Sequence, residues 1–222
     1  MNTILKQIDF IRTIYFNFKM FHLREAMKFP VFIAHHTKFV SLRGKVLIWG
    51  NLRLGMIRFG FGNVGIVDKK YNRTLIELNG ILIFNGKAHF GTGSKISVGE
   101  SGTLQIGERF IISAKSTIIC FNSISIGSDV LLSWDILLMD NDFHEMENSL
   151  TGEINFNITK PIVIGRNTWI GTRSLILKGT KVPPNTTIAA NSLLNRKYEI
   201  EENCVLAGIP AYVVKKNIRK RL

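Results

Sequence analysis

Aliphatic residues recur along this chain with a step of six. Ile164, Ile170, Ile176, Val182, Ile188 and Leu194 follow one another without a break. Four residues after each of the first five stands a small hydroxyl residue: Thr168, Ser174, Thr180, Thr186 and Ser192. At 45% hydrophobic content, six such hits arise by chance in roughly one window per hundred. The coupled hydroxyl run makes coincidence a poor explanation. An earlier set, Ile106, Ile112, Ile118 and Ile124, has the same step, and after a slip of two residues Ile126, Leu132 and Leu138 resume it. Six is too long for a helix and is not simple strand alternation. It predicts a coil with flat sides, each turning one aliphatic residue inward, with short parallel strands stacked along the axis and small residues near the corners. Glycine follows the aliphatic residue at Gly107, Gly127, Gly165 and Gly171, where a corner needs unusual backbone angles or close approach. The hexapeptide-repeat solenoid is assigned to residues 96–200. Residues 31–95 are strand-like but out of strict register, which predicts irregular, wider β-coils, and 201–222 form a short C-terminal extension.

Residues 1–30 follow a different period. Ile4, Ile8, Ile11, Tyr15 and Phe18 recur at helical spacing, with Lys6, Arg12, Lys19 and Arg24 between them. This predicts an amphipathic helix. Its apolar stripe either rests on an anionic membrane surface through residues 1–28, or docks on its own domain or a sister subunit, the commoner arrangement. No apolar run reaches the 18 residues of a spanning helix, and charges interrupt the N-terminal stretch, so neither a membrane span nor a secretory signal is expected. Gly60, Gly62 and Gly65 match a GxGxxG pattern, but no helix start follows them, so they read as turn glycines between strands.

Composition narrows the picture less than pattern does. The chain of 222 residues is globular in composition and carries a formal net charge of +13, which points to nucleic acid, an anionic membrane face or a phosphate-rich small molecule. The basic residues are dispersed apart from the tail from Lys215 to Arg221 and accompany no nucleic-acid motif, so no nucleic-acid partner is expected. Cys120 and Cys204 cannot form a disulfide framework and read as reduced core thiols. The five histidines make no metal-ligand spacing with each other or with the cysteines, so no metal is expected.

The hexad rhythm stops at Leu138 and restarts at Ile162–Ile164. The excursion at 139–161 begins Met139, Asp140, Asn141, Asp142, Phe143, His144, Glu145. A long departure from a regular solenoid is a natural place for function. His144 lies among carboxylates, and an imidazole beside a carboxylate is equipment for general-base catalysis, because the carboxylate fixes the tautomer and stabilises the imidazolium. Asp142 is the candidate orienting carboxylate.

Residues 161–171, read as P-I-V-I-G-R-N-T-W-I-G, are similar to a signature of the hexapeptide-repeat acetyltransferases. With the following L-I-L-K-G-T-K-V at 175–182, the Ala207–Ala211 turn and the upstream D-x-D-F-H element, the chain resembles the maltose and galactoside O-acetyltransferase group and the acetyltransferases of bacterial capsular polysaccharides. The specific match covers 124–216. It implies an all-β fold, a left-handed parallel β-helix, assembled as a homotrimer with active sites between subunits. It also implies acetyl transfer from acetyl-CoA to a sugar hydroxyl, without an acyl-enzyme. The expected location is cytoplasmic, and the N-terminal cations suit attraction to the inner face of the membrane. By the resemblance His144 is the general base, and the Thr172 backbone N–H is the oxyanion donor. Trp169, with Gly171 beside it, walls the CoA and acceptor groove. Ala190 meets the pantetheine arm, Asn195 and Arg196 lie near pantetheine and phosphates, and Lys215 meets the nucleotide phosphates. Tyr212 stands where relatives carry a basic CoA contact, and the sugar-holding asparagine of those relatives has no clear counterpart upstream of Ile126. Two other readings compete: an N-acetyltransferase of a nucleotide- or lipid-linked amino sugar, and a non-catalytic β-helix scaffold at the membrane surface.

Overall fold

The computed structural model describes residues 2–155 and 158–220. Arg221, at the end of the basic tail, lies outside the described residues, as do positions 156 and 157 of the 139–161 excursion. Three short helices come first: α1 (Asn2–Leu5), α2 (Phe10–Met20) and α3 (Leu23–Ala26). A three-sided parallel β-helix follows. Its first face has nine strands, beginning with β1 (Val31–Ile33), its second has seven and its third six.

The six-residue step is the side length of this prism. On the first face the inward ladder runs Ile33, Phe59, Phe90, Ile112, Leu132, Ile170, Ile188, Leu206, each paired with the next. The second face stacks Ile76, Ile96, Ile118, Leu138, Ile176 and Leu194 in the same way. All of these are buried in one continuous core. The two-residue slip in the sequence has a simple origin. Strand Ser123–Ile126 of the third face is long enough to turn both Ile124 and Ile126 inward, so the rhythm gains two residues without any break in the coil.

The hydroxyl run fixes the corners. Thr168, Ser174, Thr180, Thr186 and Ser192 are buried, and Thr168, Thr180, Thr186 and Ser192 each donate to the carbonyl three residues earlier, at 2.7 to 2.9 Å. Ser174 instead donates to the Ala189 carbonyl of the next coil at 3.0 Å. A buried hydroxyl finds its acceptor inside the turn and so stabilises the corner it occupies. Gly171 shows why the residue after the aliphatic one is small: a Cβ there would approach the Ala190 nitrogen to 2.5 Å.

The same sheets run across residue 95 without interruption. Upstream coils are wider, with bulges at Phe39/Ser41 and Phe59/Phe61, and their interior is filled by Phe59, Phe84, Phe90 and Phe110 where the later coils use Ile and Leu. Gly60 and its neighbours end a strand and enter a turn-rich stretch, with no helix behind them. The far end of the prism is closed by an antiparallel hairpin, Val205–Gly208 with Ala211–Lys215.

The near end narrows the alternatives for the N-terminal stripe. Ile4 and Ile8 of the stripe pack on Ala34 and Phe61, but the part of it carried by α2 does not dock on the chain's own domain. Ile8 is buried, but Ile11, Tyr15 and Phe18 are 83%, 54% and 46% exposed, with Phe10 and Ile14 beside them. The buried face is instead Thr13, Phe16 and Asn17. At about 100° per residue this face lies opposite Ile11, Ile14, Tyr15 and Phe18. The reason is the open edge of β1, whose N–H and C=O groups have no coil above them. Asn17 donates to the Val31 carbonyl at 2.8 Å and accepts from its N–H at 3.2 Å, and Thr13 Oγ1 accepts from the Ile33 N–H at 3.1 Å. Phe16 plugs the bore against Phe39 and Phe59. Polar satisfaction of a strand edge outranks burial of the larger apolar stripe.

Replacing Asn17 by Leu keeps the volume and orphans the buried Val31 groups. It is expected to cost about 2–4 kcal/mol, two buried polar groups left unpaired, read as a lowered urea midpoint; an unchanged midpoint would show that the edge does not need this clamp.

Candidate active site

Each coil has three corners. The first lies between the first and second faces and carries Trp134–Asp135, Thr172–Arg173 and Ala190–Asn191 on successive coils. The second follows the second face, and from it the 140–161 excursion departs. The third leads back to the first face. At the first and third corners one residue of each coil takes a left-handed conformation, among them Asp135, Arg173 and Asn191 at the first and Asp129, Asn167, Asn185 and Asn203 at the third. Asparagine and aspartate tolerate that region better than most side chains.

The excursion is tightly rooted. Asp140 is fully buried, and its two oxygens accept from the N–H groups of Phe121 at 2.8 Å and Asn122 at 2.9 Å. Its backbone carbonyl accepts from the Lys160 N–H, and the Asp142 N–H donates to the Ile158 carbonyl, so the two arms of the loop are zipped at the base. Asn141 Oδ1 accepts from the Phe143 N–H at 2.6 Å, which holds Phe143 at φ 64° and turns its ring edge-on to Phe121. His144 comes next and is exposed. A short hairpin, Met146–Glu147 with Ile154–Asn155, forms the outer part of the loop.

Asp142 forms an ion pair with Lys178, one coil further along the same corner. Among the described residues no pair between Asp142 and His144 is formed. Asn195 and Arg196 occupy the second corner too, and Arg196 is also tied inward, donating to the Ala211 carbonyl at 3.0 Å and lying over the Tyr198 ring.

The first corner gathers a different set. Trp169 lies half-exposed on the first face, its indole N–H donating to Ser133 Oγ at 3.0 Å. Thr172 Oγ1 donates to the Trp134 carbonyl at 2.7 Å, which fixes the turn one coil up. The Thr172 backbone N–H is left without an intramolecular acceptor among the described residues, while its carbonyl accepts from Asn191. Gly171 rests on the Ala189–Ala190 peptide, and Ala190 is exposed beneath it.

Within one chain Trp169, Gly171, Thr172 and Ala190 share one corner, while Asn195 and Arg196 share the next, from which the loop bearing Asp142 and His144 departs. The second face, with strands such as Leu175–Leu177, lies between the two corners. Lys215 is remote from both: it pairs with Val205 at the opposite end of the first face from Thr172. The tail beyond it follows the third corner, where Lys220 Nζ donates to the Asp129 carbonyl at 2.8 Å. Cys120 is no nucleophile, since burial, with the Asp140 carboxylate beside it, pushes its thiol up to about 12. Among the described residues no group of His, Cys, Asp and Glu has the arrangement of a metal site.

Sequence reasoning did not single out the anchoring role of Asp140 or the partner Lys178. Asp140 was findable: it shares strand parity with inward Leu138, so its side chain must enter the core and be satisfied there.

No protein-family model matches the sequence. A protein of Escherichia coli (strain K12), provisionally named lipopolysaccharide biosynthesis O-acetyl transferase WbbJ, is 24% identical over 148 residues, covering 64% of this chain and 74% of that protein. Galactoside O-acetyltransferase of the same strain is 30% identical over 115 residues, 50% of this chain and 53% of its own length. Among solved structures, the polySia-specific acetyltransferase NeuO superposes with a TM-score of 0.50 at 20% identity, over 84% of this chain and 72% of that one. The winding is that of the left-handed parallel β-helix. The repeat, the 161–171 signature and these relatives agree, and the chain is similar to the hexapeptide-repeat acetyltransferases of the group that contains the sugar O-acetyltransferases.

Proposed function

We propose that the protein transfers the acetyl group of acetyl-CoA to a sugar hydroxyl of a bacterial cell-surface polysaccharide or its precursor, as a homotrimer with active sites between subunits. The observation that supports this most directly is the rooted excursion. A buried Asp140 holds the base of the loop rigid while His144, one turn further out, is open to solvent. The separation of His144 from Thr172 within one chain favours completion of the site by a neighbouring copy.

In the reaction, His144 takes the proton of the acceptor hydroxyl as its oxygen attacks the thioester carbonyl carbon. The oxyanion that forms accepts from the Thr172 N–H, a fixed donor that strengthens as charge develops. Collapse expels the CoA thiolate, which recovers the proton from the imidazolium, so no acyl-enzyme forms. Trp169, Gly171 and Ala190 supply a wall along the pantetheine arm, Asn195 and Arg196 lie near its phosphates, and Lys215 serves the nucleotide phosphates from a neighbouring copy. Asp142, paired with Lys178, orients the loop rather than the imidazole.

Membrane placement belongs to the same reading. No helix of the described residues is long and apolar enough to cross a membrane. The outward face of α2 presents Phe10, Ile11, Ile14, Tyr15 and Phe18, with exposed Arg12 and Lys19 along one flank and Arg24 and Lys28 beyond. An apolar face rimmed by cations matches the interface of an anionic bilayer on the cytoplasmic side.

His144→Ala is expected to lower kcat by about 10²–10⁴-fold, with trimer mass and melting temperature unchanged, measured as alkali-labile acetyl ester formed from acetyl-CoA; undiminished turnover sinks this mechanism. For the membrane face, Ile11→Glu with Phe18→Glu in the full chain should abolish co-sedimentation with phosphatidylglycerol vesicles. Loss of the trimer by light scattering, with no vesicle binding by the unaltered protein, would assign the face to a sister subunit instead. Deleting residues 1–28 is a poor test, because it also removes Asn17 and the cap it provides.

A further inference from the structure

A cavity of about 460 Å³ opens at the first corner, upstream of Thr172. It is lined by Lys38, Lys70, Tyr71, Arg73, Lys95 and Lys115, together with Asn72, Leu75 and Gly93. No acidic residue lines it. Lys115 is neutralised by Asp135 at 3.0 Å, and Asp68 nearby commits its carboxylate to the Lys70 N–H at 2.8 Å. Lys38 and Lys95 sit at matching outward positions of the second face, since Lys38 and Lys95 both pair with Leu75. Lys70 lies over the exposed Tyr71 ring at 5.4 Å.

This cavity is joined to the oxyanion position by the corner itself. Lys115 is stacked on Asp135, and the Trp134–Asp135 turn is stacked on Thr172–Arg173 through the Thr172 hydroxyl. From Thr172 to the coil of Lys115 is two steps, and to the coil of Lys95 three, or about 10 and 14 Å at roughly 4.8 Å per step. A second cationic groove, around Arg53, Arg58 and Lys87, has no such connection. Its Arg109 is held bidentate by Asp129, and Arg58 is committed to the Gly55 carbonyl.

Resting on the acetyltransferase reading, the geometry points to an anionic acceptor: a glycan bearing carboxylate or phosphate groups, whose charged portion lies in this cavity while a hydroxyl further along reaches Thr172. Lys115 has Asp135 as its partner, but Lys38, Lys70, Arg73 and Lys95 lie together in a cavity that no acidic residue lines, and clustered cations repel one another and are relieved by a bound anion. A cleft lined with one sign of charge also concentrates ligands of the opposite sign. Tyr71 and Leu75 add an apolar surface for a sugar ring.

Equilibrium binding to the full-length trimer tests this with three probes: an oligogalacturonate for carboxylate, a phosphodiester-linked oligomannose for phosphate, and maltopentaose as the neutral control. At least one anionic probe is expected to bind at least tenfold more tightly than maltopentaose. That binding should weaken as salt is raised from 50 to 300 mM, and fall at least tenfold in Arg73→Glu with Lys95→Glu. CoA binding and melting temperature should not change in that variant, since both positions are exposed. Equal binding of the neutral probe overturns the inference, as does anionic binding that the charge reversal leaves intact. Absence of binding by both anionic probes at millimolar concentration, while CoA still binds, does the same. Failure of CoA to bind would overturn the acetyltransferase chemistry instead, and the oligosaccharide results would still decide the character of the cavity.

Discussion

Every coil of this protein leaves a row of backbone donors and acceptors that only the next coil can satisfy. Parallel strands two or three residues long have little stability of their own, and here they persist because Ile170, for example, is paired above to Leu132 and below to Ile188. Registration by hydrogen bonds and stacking by aliphatic side chains act on the same residues, so backbone pairing and core burial cannot be separated. The rule must also hold at the two ends, where no next coil exists. At one end a hairpin turns back on itself. At the other, the polar side of a helix takes the place of a strand.

That end condition explains where sequence reasoning succeeded and where it failed. The inward positions repeat every six residues, so the solenoid from 162 to 195 was legible from spacing alone, as were the hydroxyl corners. Ile124 and Ile126 appeared as a fault in the rhythm, because spacing does not report that one strand contributes two inward residues. The α2 stripe was correctly seen, but of the arrangements open to it, docking on its own domain is not the one adopted. Periodicity ranks residues by hydrophobicity, whereas Asn17 and Thr13 are held inside by unpaired backbone groups that no hydropathy pattern records. Handedness came from likeness to known proteins and from no property of the repeat.

At the site, His144 stood out because the rhythm stopped around it. The division of labour among its neighbours was less visible. Asp140, Asp142 and Glu145 look alike in a string of letters, yet Asp140 is consumed by two backbone donors and Asp142 by Lys178. Strand parity with Leu138 marks Asp140 as inward, but only the fold shows which partners it and Asp142 take. The same holds for cations: Arg109 and Lys220 are spent on the third corner, while Lys38 and Lys95 remain available on the second face.

Stacking also turns distance along the axis into a counted quantity. The interval between Thr172 and the cationic cavity is a whole number of coils, and it can change only in increments of about 4.8 Å. A chain that gained one coil between Lys115 and Leu131 would keep both sets of residues, both end caps and every corner rule. It would nevertheless present its Thr172 corner to a different link of a polymer bound along the axis. The solenoid is in that sense a ruler, and its repeat number is a setting that selection can move one division at a time.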